Sequence, residues 1–283
     1  MSLAIGSSVT SGARLLGAAG VNQARMEAAS LLALALNQDR TFVITHTHDE
    51  LTNEQIERFQ SLLNRRAQGE PLQYITGRQH FFRLEFEVTP DVLIPRPETE
   101  LIIEAGLELL KGSDQPHIAD IGTGSGCIAI SLLKELPDAR AVATDVCPPA
   151  LVVAERNARR HGVVDRLTLL ESDCFSALQS VGPFSLIASN PPYVADGEIE
   201  GLQREVLREP HNALFAGEDG LEVIRRLLRE APVHLRSGGH FVFEIGFRQS
   251  EAVQSLIDAD VWELLEIRSD LQRIPRTVVL RKK

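Results

Sequence analysis

Asn190-Pro191-Pro192-Tyr193 follows the apolar run Leu186-Ile187-Ala188-Ser189, and the sequence concentrates its chemistry in that tetrapeptide. The Asn190 side-chain oxygen and the Pro191 carbonyl can both accept hydrogen bonds from one NH2 group. Pro191 and Pro192 stiffen the backbone that carries them, and Tyr193 can stack on a flat group. Together they select a planar nitrogen. The lone pair of such a nitrogen is delocalised and a poor nucleophile, so the protein's contribution is alignment, worth about 7–11 kcal/mol.

A second constellation lies upstream. Ile118-Ala119-Asp120 runs into Ile121-Gly122-Thr123-Gly124-Ser125-Gly126, and a helical stretch through Ile128, Ile130, Leu132 and Leu133 follows. Glycines at a strand-to-helix turn let the backbone bend tightly and approach a ligand where a Cβ would collide. Asp145 ends the next strand, 19 residues after Gly126, where a carboxylate accepts hydrogen bonds from ribose hydroxyls. Two nucleotide classes share this arrangement. In Asp-Ile-Gly-Thr-Gly-Ser-Gly the glycines alternate, unlike those of the dinucleotide GxGxxG, and the pattern resembles the first motif of class I S-adenosylmethionine-dependent methyltransferases. The resemblance implies that Gly122, Thr123, Gly124, Ser125 and Gly126 underlie the methionine part and ribose of S-adenosylmethionine, with Asp120 nearby. It implies that Asp145 holds the ribose diol and that Asn190 borders cofactor and acceptor alike. In Ser172-Asp173-Cys174-Phe175, it sets Asp173 and Cys174 against the adenine; relatives often carry an aromatic where Cys174 stands, and a helix cap is the other use for Asp173. The sulfonium loses its positive charge on transfer, so neither a metal nor a strong general base is demanded. No metal is expected.

The elements that must position these groups alternate. Strand-like runs at residues 117–120, 141–145, 167–170, 184–189 and 240–246 are separated by amphipathic helical stretches, which implies an α/β fold with a mainly parallel sheet covered on both faces. Two further runs, near 261–267 and 277–280, are close enough in sequence to form an antiparallel edge. Asn190 stands at the carboxyl end of its strand, where open α/β sheets bind ligands. Residues 1–70 read differently: Met26, Ala29, Leu32, Ala33 and Leu36 fall at helical spacing, and Thr52 with Gln55 has the form of a capping box. A small helical bundle is expected there. Between the two, residues 71–90 carry Tyr74, Phe81, Phe82, Phe86 and Val88 among polar residues, with Gly77 in a turn position, which suggests a β-hairpin linker. The domain at residues 91–283 is then the larger one.

With 283 residues, 43% of them hydrophobic, the chain can bury a full core. Its formal net charge of −10, from 29 Lys and Arg against 39 Asp and Glu, disfavours a polyphosphate partner unless positive charge is concentrated in one patch. The basic clusters at Arg159-Arg160, Arg225-Arg226 with Arg229, and Arg281-Lys282-Lys283 read as solvated faces or termini. Cys127, Cys147 and Cys174 are widely spaced and include no CxxC pair, so a disulfide framework and a zinc knuckle are both disfavoured. The start lacks the pattern of a signal peptide, and no apolar stretch reaches the ~18–20 residues of a membrane span. A cytoplasmic monomer is expected.

The tetrapeptide alone leaves the acceptor open, since it resembles that of DNA adenine-N6 methyltransferases as well as that of protein glutamine-N5 methyltransferases. Other segments distinguish them. Phe82-x-x-x-Phe86-x-Val88 and Val92-Leu93-Ile94-Pro95-Arg96-Pro97-Glu98-Thr99-Glu100 closely resemble the segment before the methyltransferase domain in the HemK/PrmC family. So do Gly69-Glu70-Pro71-Leu72-Gln73-Tyr74, Glu209-Pro210 with Ala213-Leu214, and Asp270-Leu271 with Ile274-Pro275-Arg276. The resemblance covers essentially the whole chain. It implies a Rossmann-like, seven-stranded mixed sheet and methyl transfer to the side-chain amide of the glutamine in the Gly-Gly-Gln loop of bacterial class I release factors. The N-terminal domain would contact the release factor, and nucleic acid would not be contacted directly. A nucleic-acid adenine-N6 methyltransferase is the alternative, and the acidic balance counts against it. Arg96 is read either as part of the cofactor pocket or as a structural pin, and Glu98 likewise; Glu244 lines the acceptor channel or caps a turn.

Overall fold

The computed structural model describes residues 3–283. They form two compact units: one runs through Gly77 and includes Gln203–Arg208, and the other comprises Arg78–Leu202 with Glu209–Lys283.

The first unit holds β1 (Leu3–Ala4), α1 (Ile5–Ala18), α2 (Ala24–Leu36), α3 (Arg40–Thr45), β2 (Glu50–Leu51), α4 (Asn53–Ala67) and α5 (Leu72–Thr76). The Thr52 and Gln55 capping box forms in both directions, at 2.9 and 3.3 Å, and starts α4 where the sequence predicts. Helix α2 packs against both α1 and α4 and buries Ala28, Leu31, Leu32 and Ala35. Gly12 lets α1 approach closely, since a Cβ there would stand 2.9 Å from the Phe59 ring. The Arg66 side chain, 6% exposed, is paired with Glu27 at 2.5 Å and Glu205 at 2.8 Å, which ties Gln203–Arg208 into this unit. A buried guanidinium needs such partners, because stripping it of water costs several kcal/mol, on the order of one strong ion pair.

The second unit opens with the hairpin β3 (Arg78–Phe81) and β4 (Leu84–Glu87). Residues 72–76, read from sequence as the start of the hairpin, are helical instead, and Gly77 ends α5 at φ +71°. The turn itself, Phe82-Arg83, has φ of +44° and +64° without glycine or asparagine. Two-residue turns with positive φ match the twist of paired strands, and here the Phe82 N–H donates to Glu100 at 2.8 Å while Phe81 and Phe86 are buried in the core, which holds the turn in a conformation those residues disfavour.

The rest is a layered α/β structure. It comprises α6 (Glu100–Leu109), β5 (His117–Ile121), α7 (Cys127–Glu135), β6 (Arg140–Asp145), α8 (Pro148–Arg160), β7 (Leu167–Glu171), β8 (Phe184–Ser189) and α9 (Glu222–His234). β9 (Leu235–Glu244), α10 (Ser250–Leu256), β10 (Trp262–Ser269) and β11 (Pro275–Lys282) complete it. Seven strands run in the order β10-β11-β9-β8-β5-β6-β7. The five from β9 to β7 are parallel, and β11 is antiparallel to both β9 and β10. The late pair therefore does form antiparallel strands, with β11 inserted one place in from the edge. β9 begins five residues before the predicted start, at Leu235, and its register with β8 shifts between Phe184↔Leu235 and Leu186↔His240, which absorbs Gly238 and Gly239. Helix α9 buries Ile224, Leu227, Leu228 and Ala231 and turns its arginines outward. Its packing is the ordinary consequence of one apolar stripe.

Strand order reverses at β5: β6 lies on one side and β8 on the other. Connections leaving the carboxyl ends of β5 and β8 diverge there, and the gap between them is where such sheets take ligands. Ile121 is registered with Ser189, whose hydroxyl donates to the Ile121 carbonyl at 2.7 Å. The glycine turn and Asn190 thus leave adjacent strand ends, although their sequence positions are far apart.

Candidate active site

Residues 122–126 bridge β5 and α7 with Gly122, Gly124 and Gly126 all at positive φ. The Gly122 and Thr123 N–H groups donate to the Thr144 carbonyl at 2.9 and 2.8 Å, and the Gly124 N–H donates to Asp145 at 2.8 Å. A Cβ built at Gly122 or Gly124 meets no protein atom within 4 Å. Both would project into an open cleft lined by the turn, Asp145, Asp173, Cys174, Asn190, Pro191 and Pro192. That open cradle, with a carboxylate at its wall, fits a nucleoside bearing a flexible polar arm.

Asp120 and Gly126 lie outside the cleft wall. Asp120 is fully buried behind the turn, where its Oδ2 accepts from the Thr123 hydroxyl at 2.6 Å and the Ala129 N–H at 3.1 Å; it braces the loop against the start of α7. Burial pushes its carboxyl up to about 6, against the pull of those two bonds. A Cβ on Gly126 would come 2.8 Å from Ile130 and 3.3 Å from Ala154, so this glycine serves the close approach of α7 and α8. Asp145 is raised by burial, and its Oδ1 also accepts from the Cys147 N–H at 2.9 Å. The Asp173 carboxylate is exposed and paired with Arg226 at 2.6 Å. It caps no helix: the Ser172 hydroxyl takes the Ala177 N–H instead. Cys174 sits at φ +49°, and burial pushes its thiol up to about 11.

Asn190 follows β8. Its Nδ2 donates to the Thr99 hydroxyl at 3.0 Å, while its Oδ1 is buried and has no hydrogen-bond partner. Thr99, 1% exposed, donates in turn to Glu244 Oε2 at 2.6 Å, and the Tyr193 hydroxyl donates to Glu244 Oε1 at 3.1 Å. Glu244 is 1% exposed, and burial pushes its carboxyl up to about 7 although both hydroxyls and the nearby Arg276 favour the charged form. Burial first, then the adjacent carboxylate, raises the Tyr193 hydroxyl far above the usual range. Asn190, Pro191 and Pro192 line the cleft together with Thr99; Tyr193 and Glu244 stand behind it.

Of the two readings of Arg96 the structure favours the pin, and Thr99, Glu209, Gly220 and Gln249 are supports the sequence did not single out. Arg96 pairs with the buried carboxylate of Glu209, which also accepts from the Ile94 N–H at 3.0 Å, so Arg96 is a pin that fixes the loop carrying the cleft residues Pro210, Asn212 and Ala213. Thr99 and Glu209 both sit in segments singled out for resemblance, but nothing local in them announces the partner. Gly220 and Gln249 carry no sequence signal at all. Gln249 donates to the Tyr193 carbonyl at 2.9 Å and accepts from the Gly246 N–H at 2.8 Å. Gly220, at φ +71°, abuts the same turn so closely that a Cβ would collide with the Tyr193 carbonyl and stand 3.0 Å from the Ala195 nitrogen. Gly220→Ala is expected to displace the Asn190–Tyr193 turn and lower activity by about 10- to 100-fold, with ligand affinity measured by calorimetry unchanged.

Comparison with known proteins bears on which acceptor the turn serves. Residues 8–77 match the PrmC N-terminal domain model and residues 101–219 the methyltransferase small domain model. A release factor glutamine methyltransferase from Koribacter versatilis is 42% identical over 266 residues, 94% of each chain. One from Moorella thermoacetica is 46% identical over 246 residues, 87% of each chain. The chain belongs to the release factor glutamine methyltransferase family. Among solved structures, the hMettl16 catalytic domain aligns with a TM-score of 0.57 over 77% of this chain and 81% of its own, at 18% identity. At that identity the likeness concerns the fold alone, and that structure is of a complex with the MAT2A 3′UTR hairpin 6. The sheet by itself does not select an acceptor.

Proposed function

We propose that this chain transfers the methyl group of S-adenosylmethionine to the side-chain amide nitrogen of the glutamine in the Gly-Gly-Gln loop of peptide chain release factors. The observation that carries the reading is the unpartnered, buried Oδ1 of Asn190 at the reversal of strand order. Leaving a buried acceptor unpaired costs about 1–3 kcal/mol, which an incoming N–H returns. The names of the relatives supply the acceptor class.

In this reading residues 122–125 cradle the methionine arm and ribose, Asp145 accepts from the ribose hydroxyls, and Asp173 with Cys174 borders the adenine. Asn190 Oδ1 and the Pro191 carbonyl accept the two N–H bonds of the glutamine carboxamide, Pro192 keeps the turn rigid, and Tyr193, expected from sequence to stack on the amide, lies behind the cleft and braces the turn through its hydroxyl on Glu244. As the methyl carbon bonds to nitrogen its bond to sulfur breaks, sulfur keeps the electron pair as a neutral thioether, and nitrogen sheds one proton to water. The charge that vanishes is the cofactor's own, so the step needs alignment and no metal. The helical unit, residues through Gly77, is assigned to grip the release factor; the chain's formal net charge of −10 suits a partner that itself binds ribosomal RNA. No helix among the described residues is long and apolar enough to cross a membrane.

The test supplies radiolabelled S-adenosylmethionine with a release factor, with its Gln-to-Ala loop variant, and with unmethylated duplex DNA. Label on the first alone supports the reading. Label on the loop variant or on DNA overturns it.

A further inference from the structure

The hydrogen bonds behind Asn190 form a one-way chain. An asparagine amide presents either its oxygen or its NH2 to a given side, and the two ends have nearly the same shape. Only the oxygen can receive a donor from the acceptor. What decides the orientation is the Thr99 hydroxyl, which has a single proton: given to Glu244 Oε2 at 2.6 Å, it leaves Thr99 able only to accept from Asn190, at 3.0 Å. The NH2 is thereby drawn to Thr99, and Oδ1 is the atom left without a partner.

We propose that Thr99 and Glu244 are positioning residues that hold the Asn190 amide with its oxygen free for the acceptor nitrogen, so that transfer requires Glu244 to be ionised. The inference rests on the function proposed above. When Glu244 takes up a proton on Oε2 it becomes a donor to Thr99, whose own proton then points to Asn190. The amide is now satisfied with its oxygen toward Thr99 and its NH2 toward the acceptor, two donors facing each other. The groups that face Glu244 are Thr99 and Tyr193 through hydrogen bonds, and Arg276 and Glu98 through charge. Cys127 lies within its field, and Arg96 acts on Tyr193. With burial holding the Glu244 carboxyl at about 7, the wild-type rate falls as pH drops below 7.

Thr99→Val keeps the shape and removes the hydroxyl. It is expected to lower kcat by up to about 100-fold with cofactor affinity unchanged, and Thr99→Ser to restore it. In Glu244→Gln the acid limb of the kcat profile disappears, because the group that titrates is gone. Wild-type enzyme that fails to label the release factor glutamine sinks the function, not this proposal's logic. A wild type that does label it, joined by Thr99→Val with full kcat or Glu244→Gln with an unchanged acid limb, overturns the positioning role. Should Thr99→Val melt below the assay temperature, the Glu244→Gln pH profile decides alone.

Discussion

Asn190→Ala is expected to lower the rate of methyl transfer by about 100- to 1000-fold while cofactor binding stays close to wild type. The magnitude is that of removing one preorganised hydrogen-bonding group from a site where orientation supplies the catalysis. The cofactor contacts proposed for residues 122–125 and Asp145 leave from β5 and β6, and no hydrogen bond to Asn190 supports them. Stability should move the other way or not at all. Asn190 keeps a buried oxygen unsatisfied, and its removal relieves a cost of about 1–3 kcal/mol, offset by the Thr99 hydroxyl losing a donor. Single-turnover rates, cofactor titration and a melting curve on one preparation check all three. Full transfer by the alanine variant would remove Asn190 from the mechanism.

Asp145→Ala is expected to do the converse, weakening S-adenosylmethionine binding by about 100-fold, the worth of two hydrogen bonds to a charged oxygen at about 1.5 kcal/mol each. The same carboxylate holds the Gly124 and Cys147 N–H groups at 2.8 and 2.9 Å, so the variant also loosens both loops that wall the cleft. Asp145→Asn separates the two effects. Its amide oxygen still accepts one backbone N–H, while its NH2 faces the other donor and cannot accept from a ribose hydroxyl. Calorimetric titration should therefore show the asparagine variant nearly as weak as the alanine one, with a higher melting temperature. Equal affinity of the wild type and Asp145→Ala would assign the ribose to another group.

These effects fall on residues legible to different degrees. Thr52 with Gln55, the alternating glycines and the Pro-Pro turn act through neighbours within a few positions in the chain, and the backbone period or a fixed φ sets what they do. The Phe82-Arg83 turn was not legible as a turn because its residue types disfavour positive φ, and what holds it is Glu100 and the core beneath it. Leu72–Thr76 has the aromatic content of a strand, yet Tyr74 and Ile75 are buried from a single helical turn. Sequence leaves Arg96 between two roles because its partner, Glu209, is 113 positions away.

The sequence by itself determined the class of chemistry, since a glycine turn, a strand-ending carboxylate and Asn-Pro-Pro-Tyr act through short-range geometry, and it determined a mainly parallel sheet, because helical stretches long enough for crossovers alternate with most of its strands. The tertiary structure alone decided that β5 and β8 are neighbours at the reversal of strand order, which puts the two halves of the chemistry at one cleft. It alone joined Thr99 to Glu244 across 145 positions. A hydrogen bond of that separation depends on which strands lie side by side, and that order is set by the packing of the whole sheet, not by any pattern within reach of either residue.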